Sequence, residues 1–254
     1  MGVEWTPLVW GFTCLVFFLV ALLYASVGHG GASGYLAVLS LFTLTPEAMA
    51  TSALLLNVLV AGVALWMFTR GGFLSWRLTW PFLIASIPAA FLGGRLDVSA
   101  YTYTWLLGLT LLVAAWRLTG APTARQPGVV PPPLVVALPV GAGIGWLSGV
   151  VGIGGGIFLS PLLMFLHWAG PKETAATSAC FVAANSVAAL AGRTGGQPWA
   201  IEGLWPLVIA AGAGGWIGAS LGANHFSGQT LRQLLGLVLV IAAGKLILRA
   251  VGSG

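Results

Sequence analysis

The stretch "SVGHGGASGYLAVLSLF", residues 26–42, contains four glycines within seven positions of a strongly apolar segment. A second stretch, "SGVVGIGGGIFLSPLLMF" at residues 148–165, repeats this arrangement. Glycine weakens a helix, and irregular backbone at membrane depth is tolerated only where it is buried in protein or lines a cavity. These stretches therefore predict two buried backbone turns, named here the first glycine turn (residues 28–34) and the second glycine turn (residues 152–156).

The composition indicates a membrane protein. Of the 254 residues, 58% are hydrophobic and 6% are charged, whereas soluble domains carry about 25% charged residues. The net charge of +5 comes from scattered basic residues, so no nucleic-acid-binding face is expected. The two cysteines lie in separate apolar segments, where we expect packed thiols; no metal site and no cofactor are predicted.

Eight long apolar segments are interrupted by two short ones. The long segments cover residues 8–27, 48–68, 78–92, 101–116, 134–151, 174–191, 204–222 and 231–248. The short pieces, 33–44 and 157–168, each directly follow a glycine turn. Twelve helical residues reach only about 18 Å, well below the roughly 30 Å hydrocarbon core. Each short piece is therefore expected to return the chain to the side from which it came.

The two halves of the chain match in order, which indicates an internal duplication. "GHGG" at 28–31 parallels "GIGG" at 152–155, and "PEAMATSA" at 46–53 parallels "KETAATSA" at 172–179. "FLGGRL" at 91–96 parallels "SLGANH" at 220–225, and "LLGLTLLVAA" at 106–115 parallels "LLGLVLVIAA" at 234–243.

The predicted fold is an all-α polytopic membrane protein with two inverted repeats. Residues 1–118 form the first repeat, 119–133 a connecting loop, and 134–254 the second repeat. Each repeat is a helical hairpin with a buried glycine-rich tip, followed by three full transmembrane helices; this odd number inverts the second repeat. Lys and Arg divide six against four between the two sides, which leaves the orientation open. Eight crossings with the short pieces outside give seven against three, but leave apolar pieces in water.

Each glycine turn begins a helix, and this position suits an anion. The first backbone N–H groups of a helix lack partners within it and carry partial positive charge. We expect the two turns to meet near the membrane midplane and to bind a small anionic substrate. The predicted substrate-binding residues are Gly28, His29, Gly30 and Gly31, the hydroxyls of Thr51, Ser52, Thr177 and Ser178, then Gly152, Gly154, Gly155, Gly156, and Asn185, which we favour over Asn57.

These residues also have structural interpretations, which the sequence leaves open. Glycines permit close helix packing in membranes, and Ser or Thr often bonds its own helix. His29, which stands where the second turn has Ile153, either lines the path and titrates or packs as a neutral side chain. Arg95 either steers anions at the pore mouth or extends toward lipid headgroups. Glu47 and Glu173 either couple protons to transport or complement helix N-termini, and we favour the second interpretation.

The chain resembles the sulfite exporter TauE/SafE family of membrane permeases over nearly its whole length. The resemblance rests on the turns "GHGGASG" and "GIGGGIFLSPLL", the "ATS" helix starts, and the late "LGGRL" and "LGANH" segments. The first half departs from the pattern, with His29 inside its turn and no proline to match Pro161. The resemblance implies a multi-pass protein of the bacterial inner membrane that exports small sulfur-containing anions such as sulfite or organosulfonates.

Two other functions remain open at this point. One is a passive anion channel. The other is a rhomboid-like intramembrane serine protease, because "GASG" at 31–34 would supply Ser33 as the nucleophile. The second half has Ile157 at the serine's position, so we expect a transporter without enzyme activity. The oligomeric state is not specified by the sequence, and the lipid bilayer is the other expected partner.

Overall fold

The computed structural model describes residues 6–39, 46–96, 129–193 and 205–227, together with 230, 233 and 234. The segment predicted at 101–116, all but two residues of the one predicted at 231–248, and most of the connecting loop lie outside these residues. Every regular element in the described ranges is helical, and five of these helices are long and apolar enough to cross a membrane. The prediction of an all-α polytopic membrane protein is therefore confirmed.

Eight α-helices follow one another in the described parts of the chain. They are α1 (Pro7–Ser26), α2 (Ala32–Leu39), α3 (Pro46–Arg70), α4 (Trp76–Gly94), α5 (Leu134–Val151), α6 (Gly156–Phe165), α7 (Pro171–Arg193) and α8 (Trp205–Ser220), the last continued by a π-helical turn (Leu221–His225). The two short pieces form α2 and α6, which have eight and ten residues.

Local sequence explains where several of these helices begin. At α1 the Oγ1 atom of Thr6 accepts a hydrogen bond from Val9 N at 3.3 Å, and Pro7 occupies the first helical position. Pro171 opens α7 in the same way, with Glu173 in the first turn, as expected for an acid beside a helix N-terminus. The side chain of Glu47 is outside the described residues.

Large apolar side chains lie on the outside of the bundle. On α1, Leu8, Phe12, Leu15 and Leu19 are between 47% and 82% exposed. A soluble protein would bury such a stripe, whereas the hydrocarbon core of a bilayer is an equally apolar surrounding. The outer surface therefore agrees with the membrane assignment from composition.

Helices α1 and α8 pack closely through glycine. A Cβ atom on any of three glycines at the interface would overlap a carbonyl group of α1, so only glycine permits this approach. Since the contacts advance together along both helices, α1 and α8 run in the same direction. The contacts are Gly214 with Phe18, Gly218 with Leu22, and Gly222 with Ser26.

Helices α4 and α5 form a second pair of the same kind. Three glycines of α5 lie against carbonyl groups of α4, and these contacts also advance in one direction, so the helices are parallel. The contacts are Gly141 with Phe82, Gly145 with Ser86, and Gly149 with Ala90. In each pair, the helix that precedes a glycine turn in one half packs on the fourth helix of the other half.

Helices α3 and α7 cross at the centre in opposite directions. Midway along α3, Asn57 Nδ2 donates to Ser186 Oγ near the end of α7 at 3.4 Å. At the other end of the contact, Lys172 Nζ at the start of α7 lies 4.7 Å from the ring centroid of Phe73, just beyond α3. The two helices that follow α2 and α6 are therefore antiparallel, and both contact the second glycine turn.

Candidate functional site

The second glycine turn adopts a conformation that only glycine takes up readily. Gly152 ends α5 in the left-handed region at φ 78°, and Gly154 and Gly155 follow at 79° and 81°. The first turn uses the same region at Gly28 (77°) and Gly31 (92°). The density of glycine in both stretches therefore has a conformational cause, in addition to any role in binding.

The backbone N–H groups of the second turn are open. Within the described part of the chain, those of Gly154, Gly155 and Gly156 donate to no other group, and no side chain caps α6. All three residues are buried. Consecutive N–H groups in such a turn form a concave anion-binding nest, reinforced here by the start of a helix.

The first turn differs, because a side chain already occupies the start of its helix. Asn57 Oδ1 accepts a hydrogen bond from Ala32 N, the first residue of α2, at 3.0 Å. Asn57 Nδ2 donates to the carbonyl oxygen of Ile153 in the second turn at 3.1 Å. One fully buried amide on α3 thus joins both turns, and the two turns meet as expected.

A chain of polar side chains links the first turn to α7. His29 Nε2 lies 2.8 Å from Ser160 Oγ on α6, which lies 2.6 Å from Ser178 Oγ on α7. All three side chains are at most 1% exposed. The ring of His29 also lies beside Gly156, since a Cβ atom on this glycine would come within 2.7 Å of His29 Cδ2.

Two buried polar side chains near the second turn have no hydrogen-bond partner among the described residues. Both Ser148 and Asn185 are 0% exposed, and neither the serine hydroxyl nor either amide atom of the asparagine is paired. Ser148 Cβ is 3.4 Å from the position that a Cβ would take on Gly155. An unpaired amide inside a membrane protein is unfavourable unless it meets a ligand or water.

Helix geometry places Asn185 on the face of α7 that contacts the turn. Phe181 Cε1 and Val182 Cγ1 each lie 2.8 Å from the positions that Cβ atoms would take on Gly155 and Gly154, respectively. At about 100° per residue, position 185 is about 40° around the helix from position 181, between 181 and 182. Asn185 therefore lies one turn beyond Phe181 along the same face.

Four other predicted glycines pack closely against neighbouring residues. Gly28 packs on Ala175 of α7, and Gly152 packs on Ala50 of α3, so that each turn rests on the early part of the opposite half's helix. Gly30 lies against the side chain of Asn57. A Cβ on Gly31 would meet the hydroxyl of Tyr35 at 2.9 Å.

The hydroxyls of the "ATSA" segments do not act as one group. Thr177 Oγ1 lies 3.1 Å from Thr79 Oγ1 on α4, whereas Ser178 joins the chain to His29. Ser52 is buried without a described partner and lines a mostly apolar cavity of about 200 Å³ between α1, α2, α3 and α8. Thr51 is half-buried.

The arginine predicted to steer anions lies at the surface. Arg95 is exposed just after α4, with its guanidinium carbon 4.6 Å from the ring centroid of Phe91. Arg193, by contrast, donates from Nη2 to the carbonyl oxygens of Gly149 and Val150 at 2.8 Å each, and so caps the end of α5.

Sequence reasoning placed too little weight on three residues. Asn57 is the bridge between the turns, Ser160 joins His29 to α7, and Ser186 accepts from Asn57. The signal for Ser160 was its position directly before Pro161, inside the short helix that follows the second turn. Ser33, the suggested protease nucleophile, lies 2.8 Å from Tyr24 Oη, and His29 Nε2 is bonded to Ser160 instead.

Comparisons with known proteins agree with this architecture. Residues 13–246 match the sequence model of the family described as sulfite exporter TauE/SafE. A protein of Sinorhizobium fredii named "Probable membrane transporter protein y4hK" is 39% identical over 239 residues, which cover 92% of this chain and 96% of that protein. "Probable membrane transporter protein YunE" of Bacillus subtilis is 30% identical over 115 residues, or 43% of this chain and 40% of that protein. No solved structure matches the chain. The chain belongs to the sulfite exporter TauE/SafE family of membrane transporters.

Proposed function

We propose that this protein exports small sulfur-containing anions, such as sulfite or organosulfonates, and binds them at the second glycine turn. The observation that carries the proposal is the set of open N–H groups at Gly154, Gly155 and Gly156. The unpaired Ser148 hydroxyl lies beside the same turn, and the unpaired Asn185 amide lies on the face of α7 that contacts it. Together they offer several donors and no carboxylate, which suits an oxyanion.

The first turn has a different part in this proposal. Its helix start is occupied by Asn57 Oδ1, an uncharged oxygen in the place that an anion's oxygen would take. We assign the first turn to holding the second in position through Asn57 and His29. Of the predicted binding residues, those of the second turn would contact the anion, and those of the first would support them.

Inverted repeats over residues 1–118 and 134–254 form part of the proposal. The two parallel helix pairs support this. In α1 with α8, the first helix of the first half packs on the fourth helix of the second half; in α5 with α4, the first helix of the second half packs on the fourth helix of the first. The reciprocal contacts of Gly28 with Ala175 and of Gly152 with Ala50 give further support. An inversion that brings two hairpin tips together is a recurrent plan of secondary transporters.

Alternating access suits the described conformation better than an open pore. Residues 24–32 and 151–157 are all buried, and Asn57 closes the gap between the turns. An anion can therefore enter only when these contacts rearrange. An inside-negative potential would favour outward movement of whatever net negative charge the bound species carries, by about 2.3 kcal/mol per charge per 100 mV.

The test is a flux screen in proteoliposomes. Sulfite, thiosulfate, methanesulfonate and sulfate are followed separately, with and without an imposed potential. We expect flux of at least one sulfur oxyanion or sulfonate, lost in Ser148→Ala and Asn185→Leu. Gly143→Ala is the matched control, because a Cβ on Gly143 meets nothing within 4 Å. Flux equal to that of protein-free liposomes for all four anions would overturn the proposal.

A further inference from the structure

We infer that the anion and one proton bind together, and that His29 is the proton's binding site. The inference rests on the proposed function, because it needs an anion at the second glycine turn. It adds a second ligand to this site, bound by a side chain of the opposite half of the protein.

His29 lies at the start of α6 and, within the described part of the chain, has one unpaired ring nitrogen. Its imidazole lies along the first turn of α6, beside Gly156 and bonded through Nε2 to Ser160 at 2.8 Å. The other ring nitrogen, Nδ1, is buried and has no hydrogen-bond partner among the described residues. This nitrogen is therefore available for a proton, on a ring whose Cδ2–Nε2 edge lies beside Gly156.

Among the described residues, the helices around His29 place no permanent charge beside it. From α1 it faces the neutral phenol of Tyr24, with 6.3 Å between ring centroids, and α2 contributes Tyr35 beside Gly31. Helix α6 has no titratable residue, and α7 offers the thiol of Cys180 in its middle.

The charged residues in the first turn of α7, Lys172 and Glu173, contact other groups. Lys172 Nζ donates to the carbonyl oxygen of Ala223 at 3.0 Å. Glu173 is the only carboxylate whose side chain the structure describes. Its Oε2 atom lies 2.7 Å from the position that a Cβ atom would take on Gly170. Along α3, between Ala48 and Thr69, there is no charged residue.

Electrostatics then links the two ligands. A lone imidazolium in a dry interior is unfavourable, and so is a lone anion, because each loses its hydration. Side by side they compensate each other, while Ser160 and Ser178 keep Nε2 hydrogen-bonded. One proton passes from water to Nδ1, and no covalent bond other than this N–H bond is made. Since the bound anion favours the protonated ring, affinity must fall as the pH rises.

Proton uptake on anion binding tests the inference directly. Purified protein in weakly buffered nanodiscs receives methanesulfonate or thiosulfate, which keep a fixed charge from about pH 5 to pH 8, where histidine titrates. We expect uptake approaching one proton per anion, and affinity that weakens by up to about tenfold per pH unit as the pH rises. His29→Gln should bind the anion more weakly, with no proton uptake and no pH dependence. Glu173→Gln and His167→Gln are the controls and should retain uptake.

A second measurement observes His29 in a chain where it is not replaced, so its result does not depend on whether the His29→Gln variant folds. The chain has three histidines, so ¹⁵N-histidine spectra can be assigned with His167→Gln and His225→Gln. Addition of the anion should convert the His29 ring to the imidazolium form. Anion binding without proton uptake, or with an unchanged His29 ring, would overturn this inference alone. Failure of the wild-type protein to bind any of the anions would remove the proposed function as well.

Discussion

The side-chain nitrogen of Asn57 donates a hydrogen bond to the carbonyl oxygen of Ile153 at 3.1 Å, across the boundary between the two halves. The same amide accepts from Ala32 N. A single side chain thus satisfies a backbone group in each glycine turn, and both groups would otherwise be buried without partners. This bridge makes the two turns one structural unit.

Replacement of Asn57 should therefore destabilise the fold. We expect Asn57→Leu to lower the free energy of unfolding by about 1–3 kcal/mol, because the Ala32 N–H and the Ile153 carbonyl lose their partner. Thermal unfolding in detergent measures the effect. Asn185→Leu is the matched control, because it makes the same change at an amide that has no hydrogen-bond partner among the described residues. It should leave the melting temperature unchanged or raise it. Equal melting temperatures for the two variants would contradict the bridge.

Replacing Ser148 or Asn185 should affect substrate binding rather than folding stability. Ser148→Ala and Asn185→Leu each remove an unpaired buried polar group, so folding stability should not fall. If these groups bind the anion, however, the stabilisation by substrate should shrink; for an intact site it is about 2.7 kcal/mol at a hundredfold excess over Kd. The measurement is the melting temperature with and without substrate. Full substrate stabilisation in both variants would exclude them from the site.

Alanine at Gly154 should reduce stability, whether or not this glycine also binds the anion. Its φ of 79° is left-handed, which disfavours a side chain by about 1–2 kcal/mol, and its Cβ would lie 2.7 Å from Asn57 Nδ2. Gly62→Ala in α3 is the control, since its Cβ meets nothing within 4 Å and alanine favours a helix by up to about 1 kcal/mol. Equal unfolding free energies for the two variants would contradict the turn geometry.

Two arginines, Arg95 and Arg193, should separate steering from folding. Arg193→Gln should lower the melting temperature, because it removes two hydrogen bonds to the end of α5. Arg95→Gln should leave it unchanged and slow anion uptake at low salt, with the difference vanishing as the salt concentration rises. Arg125→Gln is the control for uptake. If Arg95→Gln and Arg125→Gln give the same uptake at low salt, Arg95 does not steer.

The inverted arrangement predicts the sides on which two loops lie. Single cysteines placed at 45–47 and at 170–173 should react with a membrane-impermeant thiol reagent from opposite sides of the membrane. Labelling in sealed vesicles, before and after permeabilisation, measures this once Cys14 and Cys180 are replaced. Labelling of both loops from one side would rule out the inversion.

Sequence reasoning succeeded where the determinant was local. The apolar runs 33–44 and 157–168 are too short to cross a membrane, and they form the short helices α2 and α6. Glycine density at both turns corresponds to left-handed backbone. Length, hydropathy and glycine content were sufficient for these elements because they depend on neighbouring residues.

The details of the candidate site depended on contacts between distant residues. Asn57 bonds to groups 25 and 96 positions away, so its importance followed from packing rather than from any motif. Thr177 and Ser178 looked equivalent in "ATSA", yet about 100° of helix rotation separates them. One faces Thr79 and the other Ser160, and only the second joins the network around His29.

The close glycine contacts between the halves decide which parts of the molecule can rock as rigid blocks. Gly218 rests on the Leu22 carbonyl, and Gly145 rests on that of Ser86, so each half interleaves with the other on both flanks. Rotation of one half against the other would have to separate both contacts. The blocks that keep these contacts intact are the mixed pairs, α1 with α8 and α4 with α5. Helix α7 stays with the second pair, because Gly94 rests on the Ala189 carbonyl and Gly192 rests on that of Phe91.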